Sequence, residues 1–270
     1  MALAKLAQSA RFWLGYGPNC LKEWLLAEGR MPPVRWLPWG SSWCYDLRRC
    51  FAAAGKTSPR IIFDVGANVG ETARYMHMHF PRAQIHAFEP VEADYQELLR
   101  NTKKIPQIHC YQLALGEKKD TRKMALHAYP MMNTMRQNNF SDKNITGFCE
   151  VPVTTIDAIV AEHNIPQIGF LKLDVEGYEM PVLQGAEQSL RDRKILAIYS
   201  EVIFRNKCST FEWTEFEQIN QHLSSFGFDL VSFYDFRRFG TYREYLLLCD
   251  GLWVNWDALY SRAKDAESSC

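Results

Sequence analysis

Four short segments of this sequence hold residues whose types and spacing could do chemistry. The first is Ile61-Ile62-Phe63-Asp64-Val65-Gly66-Ala67-Asn68-Val69-Gly70-Glu71-Thr72, an apolar run that ends in a Gly-x-Asn-x-Gly turn. Glycine lets a backbone turn tightly and lets a ligand approach with no Cβ in the way. A helix opening there adds N–H groups and a positive dipole end. Such a corner at the carboxyl end of a parallel strand suits a nucleotide or nucleoside. The dinucleotide fingerprint fails, because its glycine positions read Gly66, Asn68 and Glu71, and a carboxylate at the third would repel a pyrophosphate. No Gly-Lys-Ser/Thr follows the turn, so it is not a P-loop. A nucleoside that carries an amino acid fits better. Asp64 or the Gly66 carbonyl can meet its ammonium, and backbone N–H groups with Asn68 or Thr72 its carboxylate. The competing reading is a purely structural strand–turn–helix corner.

Phe88-Glu89-Pro90 closes the next apolar run. An acid there accepts two hydrogen bonds from a ribose diol; the alternative is a helix cap before Glu92. Pro90 turns the chain sharply and is expected to leave the Glu89 carboxylate exposed. Leu113-Ala114-Leu115-Gly116 offers small, apolar residues to an adenine ring. The fourth segment is Phe170-Leu171-Lys172-Leu173-Asp174-Val175-Glu176-Gly177-Tyr178-Glu179. Asp174 ends an apolar strand at the same edge as Asp64 and Glu89. Glu176 and Glu179 follow, where acids are also ordinary complements to a helix dipole. Glu201 ends the next run, Ile195–Ser200, at that edge again. Acids at the ends of adjacent strands can bind a substrate group, deprotonate it or hold a metal. Histidine is chemically the best general base. None is expected in the site: His77 and His79, two apart on a helix, point to different faces, and His-Glu-x-x-His is absent.

These residues need strands to carry them to one edge. Strands are expected at Ile61–Val65, Gln84–Phe88, Ile108–Leu113, Ile168–Leu173 and Ile195–Ser200. Helices are expected at Glu71–His79, Glu92–Asn101, Asp157–His163, Glu179–Leu190 and Phe211–Phe226, the last capped by Ser209 or Thr210. Residues 117–155 are less regular, with strands near Lys123–Tyr129 and Val151–Thr155. Strand–helix alternation argues a parallel sheet wrapped by helices. Asp229–Phe233 and Tyr245–Leu248 lack a helix between them and argue an antiparallel hairpin on its edge, with a further strand near Leu252–Val254.

The chain has 270 residues, 47% hydrophobic and 23% charged, enough for a sizeable core. Thirty-one basic residues balance thirty-one acidic ones. No global field draws it to nucleic acid, although Phe233-Tyr234-Asp235-Phe236-Arg237-Arg238-Phe239 interleaves aromatics with bases. That stretch is expected to end a strand and line an edge loop. The run Tyr129–Arg136 reads as a flexible Met-rich loop able to cover an acceptor, or as plain surface. No apolar run is long enough for a transmembrane segment. The eight cysteines form no C-x-x-C pair and read as reduced thiols of a cytoplasmic protein. The N-terminus reads as an amphipathic helix rather than a transit peptide. Residues 1–58, which hold five of the eight Trp, read as a helical or irregular extension, a lid or a dimer contact; 59–256 as the main domain; 257–270 as a tail.

On Phe63-Asp64-Val65-Gly66-Ala67-Asn68-Val69-Gly70, Phe88-Glu89-Pro90, Ala114-Leu115-Gly116, Glu201-Val202 and above all Leu171-Lys172-Leu173-Asp174-Val175-Glu176-Gly177-Tyr178-Glu179 with Val182-Leu183-Gln184-Gly185-Ala186, residues 60 to about 255 resemble the FkbM family of S-adenosylmethionine-dependent methyltransferases. The resemblance implies an α/β, Rossmann-like seven-stranded class I methyltransferase sheet with a C-terminal antiparallel hairpin. It implies methyl transfer to a hydroxyl of a sugar or polyketide-type molecule. The cofactor-binding candidates are Asp64, Gly66, Asn68, Gly70, Glu71, Thr72, Glu89, Pro90, Ala114, Leu115 and Asp174. The candidate bases are Asp174, Glu176 and Glu201. No metal is expected, because consecutive acids are missing. An amine or protein side chain as acceptor, or a non-catalytic nucleoside-binding module, remain the alternatives.

Overall fold

The computed structural model describes residues 38–136, 143–204, 215–239 and 245–267. Its centre is β1 (Ile61–Val65), an apolar strand buried at all but its first residue. β2 (Gln84–Phe88) and β3 (Ile108–Tyr111) lie parallel on one side of it, β7 (Phe170–Leu173) and β8 (Ala197–Ile203) parallel on the other. β9 (Asp229–Phe239) and β10 (Tyr245–Val254) close the sheet as an antiparallel hairpin, giving the order β3-β2-β1-β7-β8-β10-β9. This is the expected α/β, seven-stranded Rossmann-like sheet.

Both faces of the sheet are buried, as near-continuous apolar strands require. Successive residues along β1 alternate between two core clusters: Ile62 packs with Phe170 and Tyr199, Phe63 with Leu171 and Ile198. On the Ile62 face lie α1 (Trp43–Ala53) and α2 (Glu71–His79). α1 buries Cys44, Leu47, Cys50 and Phe51, and its buried Asp46 accepts a 2.8 Å hydrogen bond from the Tyr234 hydroxyl of β9. The remaining helices are α3 (Glu92–Thr102), α4 (Ile156–Glu162), α5 (Glu179–Gln184), α6 (Glu187–Arg191), α7 (Phe216–Ser225) and α8 (Trp256–Glu267). α8 crosses the expected boundary between domain and tail.

Several local expectations are corrected. The helix expected over Glu179–Leu190 is two helices parted at Gly185, where a Cβ would meet the Gly116 carbonyl oxygen at 2.0 Å. The third strand stops at Tyr111. The irregular stretch forms its own sheet, β4 (Ala114–Leu115), β6 (Ile145–Thr154) and β5 (Asp120–His127), in that order. Leu252–Val254 is the end of β10, and Phe233–Phe239 is strand rather than loop, because β9 and β10 pair along most of their length. The start of the helix expected over Phe211–Phe226, with its caps, and the lid reading for residues 1–37 lie outside the described residues. Cys44, Cys50, Cys110, Cys149 and Cys249 are free thiols. Among the described residues no helix is long and apolar enough to cross a membrane.

Candidate functional site

A cavity of about 1170 Å³ opens along the carboxyl ends of the parallel strands. It gathers most of the residues picked out in the sequence: Gly66, Asn68, Glu71 and Thr72 from the glycine turn and the start of α2, Glu89 and Pro90 after β2, Ala114 and Leu115 in β4, and Asp174, Glu176 and Glu201. Asp64 and Gly70 do not line it. Gly70 caps α2 in the left-handed region (φ 85°), and a Cβ there would strike Leu98.

Asp64 is a correction. It is fully buried, and its Oδ1 lies 3.2 Å from the Lys172 ammonium. Lys172 also donates to the Gly66 carbonyl at 3.2 Å. Of the two acceptors assigned to a ligand ammonium, the Gly66 carbonyl thus accepts from Lys172, and the Asp64 carboxylate is ion-paired to it in the interior with neither oxygen hydrogen-bonded. The glycine turn is likewise closed on itself: the Gly66 and Ala67 amides donate to the Phe88 carbonyl, that of Asn68 to Glu89, that of Val69 to the Asn68 side chain and that of Gly70 to the Ala67 carbonyl. The turn shapes the cavity wall, and the cavity meets the start of α2 at Glu71 and Thr72.

Glu89 is the second correction. It is 6% exposed rather than open. Its Oε1 accepts from the Val91 amide at 2.8 Å and its Oε2 from the Asn68 amide at 2.9 Å, so the bend at Pro90 folds the carboxylate in. Burial pushes its pKa up to about 7 against those two bonds, with Asp94 adding to the rise. Each oxygen keeps a lone pair for a further donor.

One carboxylate oxygen from each of Asp174, Glu176 and Glu201 lies within 4.8 Å of the others, a spacing that can hold a cation or share a proton. Asp174 is half exposed and its Oδ2 lies 3.2 Å from Lys172 Nζ. Glu176 sits at φ 51°, a left-handed conformation that a side chain rarely adopts and that strained sites use. Burial, then Asp174 and Glu179, raise its pKa. Glu201 is raised well above the carboxylate range by burial, then by Asp174 and Glu176. Its Oε2 makes no hydrogen bond, and its Oε1 lies 3.7 Å from Arg237. Glu179 turns away, accepting from the amides of Gly177 and Val175, and so braces the turn rather than the site.

Sequence reasoning missed Lys172 and Asp250, while Arg237 belongs to the aromatic and basic run expected to line an edge loop. A lysine inside an otherwise apolar strand was the available signal for the first. Asp250 lies opposite Glu201 in the β10–β8 register, and burial lifts it to about 7. Trp43, Tyr199, Tyr234 and Phe236 add aromatic walls, and Trp43 stacks on Phe170 at 5.3 Å. The Met-rich stretch adds Pro130, Met131, Met132 and Met135 to the lining. It is pinned: Asn133 accepts from the His127 amide and donates to Asp94.

Residues 64–230 match the methyltransferase FkbM domain. The chain belongs to that family. The FkbM chain is 30% identical over 161 residues to Methyltransferase 1 of Beauveria bassiana (strain ARSEF 2860), covering 52% of this chain and 64% of that protein. It is 27% identical over 171 residues to the 31-O-demethyl-FK506 methyltransferase FkbM of Streptomyces tacrolimicus, covering 53% and 66%. It therefore spans slightly less than two thirds of either relative. Among solved structures it is similar to the METTL16 MTase domain, with a TM-score of 0.46 at 13% identity over 87% of this chain and 78% of that one.

Proposed function

We propose that the protein uses S-adenosylmethionine to methylate a hydroxyl of a sugar or polyketide-type small molecule. The observation that carries this reading is that one cavity joins Glu89, just after β2, to three converging acids, Asp174 and Glu176 just after β7 and Glu201 within β8. The donor set suits the nucleoside. Glu89 accepts from the ribose diol, Ala114 and Leu115 face the adenine, and Asp174 meets the ammonium. When bound, the sulfonium would supply an electrophilic methyl to the acceptor oxygen, with sulfur as the leaving group.

The protein's part is to align the reactants and to take a proton. Glu201 and Glu176 line the same cavity as Asp174. Raised proton affinity makes either carboxylate, once ionised, a stronger base than an ordinary one, and the hydroxyl proton passes to it as the oxygen attacks. The aromatic and methionine walls suit the faces of an apolar or sugar acceptor.

A second reading, methylation of an amine, draws on charge. Asp174, Glu176, Glu201, Asp235 and Asp250 line the cavity, whereas Lys172 and Arg237 are its basic side chains among the described residues. Calorimetry with S-adenosylhomocysteine, followed by turnover of hydroxylated and aminated acceptors, tests both. Absence of nucleoside binding refutes either, and exclusive turnover of amines refutes the first.

A further inference from the structure

Lys172 sits inside β7 between Leu171 and Leu173 and is 4% exposed. A buried ammonium must find partners, and this one has a hydrogen-bond acceptor and two ion-pair carboxylates on three different parts of the site. They are Asp64 Oδ1 at 3.2 Å, the Gly66 carbonyl at 3.2 Å and Asp174 Oδ2 at 3.2 Å. Asp64 is its register partner on β1, so the first contact follows from strand pairing. The other two join the glycine turn to the end of β7. Those segments touch: a Cβ on Gly66 would lie 1.9 Å from the Asp174 carbonyl oxygen. Of the two carboxylates, only that of Asp174 is substantially exposed, at 48% against 0% for Asp64.

We propose that Lys172 is a positioning residue that makes the site select for the amino-acid end of its nucleoside: it withdraws Asp64 and the Gly66 carbonyl from ligand contact and holds Asp174 facing the cavity as the acceptor for the ligand ammonium. The inference rests on the nucleoside reading of the cavity and deepens it. The alternative fate of Asp174 is visible in its neighbours. Glu176 and Glu201 each bring an oxygen within 4.8 Å of it. Without a cation on its other side, repulsion from those carboxylates would swing Asp174 away from them, and the acceptor leaves its place. Lys172 itself remains charged, because Asp174 and Asp64 raise its proton affinity by more than burial lowers it.

The test compares two ligands that share adenosine and sulfur but differ in the amino-acid tail: S-adenosylhomocysteine and 5′-methylthioadenosine. Lys172→Met alone strands Asp64 as a buried charge and risks unfolding, so the decisive variant is Asp64→Asn/Lys172→Met, with its fold checked by thermal denaturation. By calorimetry, this variant should bind S-adenosylhomocysteine at least about tenfold more weakly than wild type, a charge-assisted hydrogen bond's worth. Its affinity for 5′-methylthioadenosine should stay within about threefold. Adding Asp174→Asn to it should cost little more, whereas Asp174→Asn alone should reproduce the selective loss. Equal losses for both ligands, or no loss for either, overturn the proposal and leave Lys172 a purely structural ion pair. A wild-type protein that binds neither ligand overturns the nucleoside reading itself. One that binds both while the double variant shows no selective loss overturns only the role of Lys172.

Discussion

The Lys172 ammonium lies 3.2 Å from Asp64 Oδ1 across the β7–β1 pair, and both side chains are sealed from solvent. Removing one member of a buried ion pair leaves the other uncompensated, which costs about 3–5 kcal/mol. Lys172→Met, which strands the buried Asp64, should therefore lose about that much stability in urea denaturation, whereas Asp64→Ala should lose less because Lys172 keeps Asp174 and the Gly66 carbonyl. Asp64→Asn/Lys172→Met, which leaves neither charge behind, should recover much of it. A single variant as stable as wild type would show that the pair does not brace the sheet.

Glu89 sets a pH dependence. Burial raises it from 4.5 to about 7, so between those values the folded protein holds a proton that the unfolded chain has released. Its contribution to stability is greatest below 4.5 and is lost as pH rises through 7. Ligand binding runs the other way. A ribose diol donates two hydrogen bonds, and the ionised carboxylate accepts both. Affinity for S-adenosylhomocysteine should weaken roughly tenfold between pH 8 and pH 6, as ionisation falls. Calorimetry across that range checks this, and Glu89→Gln should bind weakly with no such trend.

Glu201→Gln tests the base. The variant keeps the shape of the side chain and cannot take the acceptor's proton. Turnover should fall about 100-fold while the dissociation constant for S-adenosylhomocysteine stays within about threefold. Wild-type turnover should climb with pH, because burial and neighbouring acids raise the proton affinity of both Glu176 and Glu201. A flat pH profile with undiminished turnover in Glu201→Gln would move the base elsewhere.

Removing metal should change nothing. Asp174, Glu176 and Glu201 are close enough to hold a cation. Yet Lys172 already lies 3.2 Å from Asp174, and Arg237 3.7 Å from Glu201. The raised proton affinity of the two glutamates lets the group carry a proton instead. Methyl transfer should survive dialysis against EDTA, and a loss restored by magnesium or manganese would assign the acids to a metal.

What the sequence made legible was whatever depends on local pattern. Ile61–Val65 reads as a strand because its apolar residues run without interruption into Gly66, and Asp174 and Glu201 follow from it, since strand ends in a parallel sheet share an edge. The hairpin of β9 and β10 shows in the missing helix. Partnerships between distant segments were not legible. Lys172 looks like an intruder in an apolar strand until register places it beside Asp64. Glu89 looks exposed before Pro90 until the Asn68 and Val91 amides close on it. Gly185 looks like an ordinary helix residue until Gly116 packs against it, and β4 finds its partner at the far end of β6, a pairing between segments distant in the chain. The packing of Trp43–Ala53 on the main sheet brings Asp46 to Tyr234, far along the chain.

The contact between the glycine turn and the end of β7 gives a last test. Gly66 adopts φ 78°, and an added Cβ would lie 1.9 Å from the Asp174 carbonyl oxygen and 2.9 Å from its carbon, both backbone atoms that cannot rotate aside. Gly55 has a similar φ of 68° with nothing within 4 Å of the added carbon. Gly55→Ala should cost only the left-handed penalty, about 1 kcal/mol. Gly66→Ala should add displacement of the β1–β7 contact and cost on the order of 3 kcal/mol or more, read as melting temperature. Because Lys172 ties the same two segments together, Gly66→Ala should also move Asp174 and weaken S-adenosylhomocysteine binding, while Gly55→Ala leaves it intact. Equal effects of the two substitutions on stability and binding would mean that the turn tolerates a side chain and that this close approach does not shape the site.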